Sequence, residues 1–225
     1  MGSKINLIPL FTSIISFCFT GLLLRQYIQR QKIHQLIWTI ALLFYGVSTL
    51  MELLMNSNIL GFNNYLFIIF YTTATSLVGF LGAGQLYLVV KHKLTHIFLA
   101  FVIIFSVILL LTLILSPFPT GLSFVGDLGE DIRIISEGYP MSVRIYAIIL
   151  ASVGGVVLFG GSLYSFIRDR SRYYALFFTL GAIFPMLRNI PFGYLGNELA
   201  GVISLLIGYI LSILHIKRQP IETTD

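Results

Sequence analysis

One cysteine, Cys18, is all that 225 residues contain, so neither a disulfide framework nor a cysteine-based metal or redox motif can be built. Charge is nearly as scarce. Only 10% of residues are Asp, Glu, Lys or Arg, against about 25% in an ordinary soluble domain. There is no H-E-x-x-H, no G-x-S-x-G, no P-loop and no Asn-x-Ser/Thr acceptor. No predicted span carries two carboxylates. With no residues to carry bond-making chemistry, the chain is expected to be neither an enzyme nor the holder of a cofactor or metal.

What is present is apolar. Hydrophobic residues make up 57% of the chain and the mean hydropathy is +0.92. Runs of about 20 apolar residues, each able to cross a hydrocarbon layer of about 30 Å, recur along almost the whole length. They fall at 7–25, 35–56, 65–90, 95–116, 142–166, 173–192 and 197–216. The expected fold is all-α: one seven-helix integral membrane domain over 1–225, with an outer loop at 117–141. That loop holds four of the nine acids, three of the seven prolines and four glycines, which predicts an ordered or semi-ordered cap instead of another span.

The net charge of +5 suggests nucleic acid only until the basic residues are placed. Arg25, Arg30 and Lys32 follow the first span, Lys91 and Lys93 the third, Arg168, Arg170 and Arg172 the fifth, Lys217 and Arg218 the seventh. The opposite ends carry Asp127, Glu130, Asp131, Glu137 and Glu198. By the positive-inside rule the N-terminus is outside and the C-terminus cytoplasmic, in a cell membrane. The basic excess is a topology signal, and nucleic acid is not an expected partner.

Two charges lie within the apolar runs. Glu52, 17 residues beyond Gln35, is roughly 25 Å along its helix at 1.5 Å per residue, and Arg188 is roughly 22 Å along the sixth span from Tyr173. They share a depth. An ionisable group there is costly enough to point to function, so Glu52 and Arg188 are expected to pair, with Asn189 beside them and Arg144 and Glu198 at the same outer level. Pro185 is expected to kink the sixth span just before Arg188. The same pair also reads as a purely structural clasp between helices.

All four histidines, His34, His92, His96 and His215, gather at the basic ends of the spans. Haem would need two of them on facing helices, a remote alternative. Small residues mark expected helix contacts: Gly79, Gly82 and Gly84 in the third span, Ala151, Gly155, Gly160 and Gly161 in the fifth, Gly196, Ala200, Gly201 and Ser204 in the seventh. Sliding the first three spans on the last three with an offset of 136 puts Glu52 opposite Arg188, compatible with two three-helix repeats joined by a linking helix.

The stretches "WTIALLFYGVSTLMEL", with Trp38, Ala41 and Glu52, and "FLGAGQLYLV", with Gly82, Gly84, Tyr87 and Leu88, resemble segments of a group of prokaryotic seven-span membrane proteins. The resemblance implies a seven-helix bundle and transfers no catalytic residue. From the residues themselves the expected role is to bind, and to transport or sense, a small solute or ion through an outward-facing site of Glu52, Arg188, Asn189 and Arg144. The alternative is a non-catalytic accessory or signalling subunit. The partners implied are the lipid bilayer, the solute or ion, and a membrane-protein partner or a second copy of the chain.

Overall fold

The computed structural model describes residues 7–56, 60–90, 93–120, 128–170, 174–186 and 193–218, which form eight α-helices and, among these residues, no strand. In chain order they are α1 (Ile8–Arg30), α2 (Ile33–Asn56), α3 (Asn64–Val89), α4 (Lys93–Leu115), α5 (Leu128–Gly138), α6 (Met141–Arg168), α7 (Tyr174–Met186) and α8 (Gly193–Arg218). Hydropathy locates the lipid-crossing part of a helix, and the backbone continues past it. α1 thus runs beyond the apolar run ending at 25 to Arg30 and stops only where Gln31 turns left-handed (φ 51°), its N–H bonding the Tyr27 carbonyl at 2.7 Å. Pro9 in its first turn lacks the N–H that a helix start leaves unused. At the head of α3 the Asn63 side chain caps the helix by accepting from the Tyr65 N–H at 2.8 Å.

Five of these helices, α1, α2, α3, α4 and α6, are long and apolar enough to cross a membrane. Within α8 the apolar stretch is Gly196–Ser212. Packing runs α1 to α2, α2 to α3, α3 to α6, α6 to α7, α7 to α8 and α8 back to α1, so the contacts close into a ring. α4 leans on α3 and α6 from outside it. Burial agrees: 61% of the apolar window of α3 is buried against 22% for α4. The exposed face of α4, with Ile97, Ile104, Leu111 and Ile114, suits lipid tails as neighbours. This is the architecture of a helical membrane bundle.

α3 and α6 meet backbone to backbone. A Cβ on Gly82 would stand 2.5 Å from the Gly154 carbonyl oxygen, and one on Gly154 would stand 2.7 Å from Gly79 Cα. The expected small-residue contact is therefore present: on α6 Gly154 meets the α3 backbone and Gly161 meets Gln85 of α3, while Gly160 faces open space. Small-residue spacing marks a stripe without fixing how the helix is rotated. Along α1, Thr12, Ser16 and Thr20 return their hydroxyls to carbonyls one turn back at 2.8–3.0 Å, whereas Ser13 reaches across to the Gly46 carbonyl of α2 at 3.0 Å.

Within the long connection, α5 forms a cap. Ile132, Ile135 and Tyr139 are buried with Phe67, Leu109, Leu113 and Val143 in an apolar cluster separate from the main core. Tyr139 stacks on Phe67 (5.6 Å, 8°) and donates its hydroxyl to Asn64 Oδ1 at 3.1 Å. Burial pushes Tyr139 up to about 12, so the hydroxyl keeps its proton at any physiological pH and this donor persists. Ile135→Asp would place a carboxylate in a fully buried site and is expected to release the cap at a cost of about 2–3 kcal/mol. Proteolysis confined to 117–141 should then rise more than tenfold, with the spans intact.

Candidate functional site

Tyr45, Ser48, Thr49 and Glu52 stand at i, i+3, i+4 and i+7, and so lie on one face of α2. All four are buried, Glu52 completely. Ser48 and Thr49 spend their hydroxyls within the helix, on the Tyr45 carbonyl at 2.9 and 3.0 Å. Tyr45 and Glu52 look outward from α2 to α8. The Tyr45 hydroxyl donates to the backbone carbonyl of Glu198 at 2.6 Å, which fixes the two helices at this level. Asn197 and Glu198 are themselves buried early in α8.

The Glu52 and Glu198 carboxyls face each other across this contact. Both Glu52 oxygens are shut off from solvent, and the Glu198 carboxyl lies within hydrogen-bonding reach of them. Two carboxyls and a phenol thus lie buried together between α2 and α8. Tyr45→Phe, which removes the cross-helix hydrogen bond and keeps the ring, is expected to cost about 1 kcal/mol and to lower Tm by about 2–4 °C in a thermal scan.

Of the four residues expected from sequence to bind a ligand, Glu52 is the one that lies in this site. Arg188 and Asn189 lie outside the described residues, and with them the expected Glu52–Arg188 pair. The bend expected at Pro185 also lies at that edge, since the described part of α7 ends at Met186. Arg144 sits half-buried in the first turn of α6, and among the described residues no ion pair joins it to Glu52. Glu198 was expected at the same outer level as Glu52 without being recognised as the residue opposite it. Tyr45 was not singled out at all, although its seven-residue spacing from Glu52 carried the signal.

The remaining polar positions serve packing. Trp38 stacks on Phe178 (4.8 Å, 24°), donates its indole N–H to the Leu81 carbonyl at 3.3 Å, and rests against Gly84. Gln85 is fully buried beside Gly161 of α6. His96 Nδ1 meets the Tyr87 hydroxyl at 2.6 Å and His34 packs edge-on against Trp38, so each ring is engaged by a neighbouring aromatic. His92 lies outside the described residues. No group of three His, Cys, Asp or Glu able to hold a metal occurs among the described residues. Compared with protein families, with characterised proteins and with solved structures, the chain matches none, and its function has to be read from the chemistry of the Glu52–Glu198 site.

Proposed function

We propose that the chain is a seven-span cell-membrane protein, N-terminus outside and C-terminus cytoplasmic, that binds a small cationic solute or ion at Glu52 and Glu198 and transports or senses it. The observation that carries this reading is the facing of two carboxyls in a site where Glu52 is wholly buried. Like charges about 4 Å apart repel by about 4 kcal/mol at an effective dielectric of about 20, before the cost of removing either from water is counted. A pair of this kind is relieved by a proton or a cation shared between its oxygens. The ring of helices supplies the enclosure, and the Tyr45 hydrogen bond holds the two carrying helices together.

The alternation of basic and acidic span ends supports the orientation, and the apolar stretch in α8 supports its counting as a span. The test is thermal unfolding of the purified chain against protons, Na⁺, K⁺, Ca²⁺, ammonium and small amines, with Glu52→Gln in parallel. A cation that stabilises the wild type and leaves the variant unmoved supports the site. Equal responses, or none, would reduce the pair to a feature of helix packing.

A further inference from the structure

A partly open cavity of about 130 Å³ lies at the opposite, basic end of the bundle, far along α2 from Glu52, between α1, α2, α7 and α8 with Leu88 of α3 beside it. At about 30 Å³ per water it has room for about four waters, which suits a compact headgroup and is too small for a drug-sized ligand. Exposed Arg30 and Lys32 supply its charge, and half-buried His34 lines it beside them. Among the described residues no acidic side chain lines it. α2 begins at Ile33, between two of these residues, so the positive end of the helix dipole adds to the same field.

The inner wall is aromatic, with Trp38, Tyr174, Phe178 and Tyr209, and holds one polar atom that stands out. Gln35 is 4% exposed, and its side-chain oxygen is buried with no donor among the described residues. A buried acceptor of this kind ordinarily finds a partner. The occupant that suits these walls therefore has anionic oxygens for Arg30 and Lys32 and a hydroxyl that reaches Gln35 when its amide turns toward the cavity.

We propose that this cavity binds a hydroxyl-bearing phosphate group. Hydrogen phosphate and the phosphoglycerol headgroup of an anionic lipid share that chemistry. The proposed orientation puts the cavity at the cytoplasmic leaflet, where anionic headgroups meet juxtamembrane Lys and Arg. The site is independent of the Glu52–Glu198 pair and stands whether or not that pair binds a cation.

Trp38 is the only tryptophan in the chain and lines the cavity, so its emission reports occupancy directly. The full chain in nonionic detergent is titrated with sodium phosphate against sodium chloride of equal ionic strength. In a second arm it is titrated with dioleoyl phosphatidylglycerol against dioleoyl phosphatidylcholine in mixed micelles. A saturable change with phosphate identifies the free anion as occupant, and one with phosphatidylglycerol alone identifies the lipid. In either case R30Q/K32Q is expected to weaken binding about tenfold or more. Both side chains are exposed, so the variant should fold, and K32Q alone replaces it if it does not. Absence of a saturable change in both arms, or an unchanged midpoint in the variants, would overturn the proposal.

Discussion

Glu52→Gln is expected to abolish cation-dependent stabilisation and any coupled transport, by a hundredfold or more in apparent affinity, while the protein stays folded. Gln keeps the size of the side chain and most of its hydrogen-bonding capacity, and removes the ionisable carboxyl that faces Glu198. A charge that exists only to bind a cation adds repulsion to the empty site, so its removal should leave the unliganded Tm unchanged within a few degrees, or raise it. Glu198→Gln should behave in the same way, and the double variant should be no worse than either single one because the two carboxyls act as a unit. Thermal scans and cation titrations of the three variants separate the outcomes. A variant that melts ten degrees early with or without cation would show a structural clasp instead.

Gly82→Leu should be the most damaging single change to the fold. Its new Cβ would stand 2.5 Å from the Gly154 carbonyl oxygen, and a backbone atom cannot step aside as a flexible side chain can. α3 sits in the centre of the bundle, touching α2, α4 and α6, so a displacement of α3 from α6 reaches three neighbours. Overpacking of this kind costs at least about 1–3 kcal/mol, equivalent to a drop in Tm of about 2–12 °C for a chain of this size. Gly160→Leu on α6 is the control, because a side chain there meets open space. Melting curves of the two variants should differ clearly; equal curves would mean that the α3–α6 contact does not govern stability.

The long apolar runs made the helices legible, because each must satisfy its backbone internally if it lies in lipid. α2, α3, α4 and α6 begin and end close to where the runs predicted. α5 was legible only as a cap. Its eleven residues are too short and too polar to register as a span, and only packing against Phe67 and Leu113 orders it. Glu52 was legible as an anomaly, a carboxylate where none is cheap. Its counterpart was not. Arg188 and Glu198 offered the same depth from sequence, and depth is all that residue counting supplies.

Composition and the placement of charge along the chain determined that this is an apolar helical bundle with a carboxylate in its interior, since both follow from hydropathy summed over local windows. Tertiary structure alone decided that Glu198 faces Glu52, that Gly154 meets the α3 backbone, and that Arg30, Lys32 and Gln35 line one cavity. The reason is rotational. A helix apolar on all sides has no sequence signal for which face turns inward, and that angle is set only when its neighbours are in place.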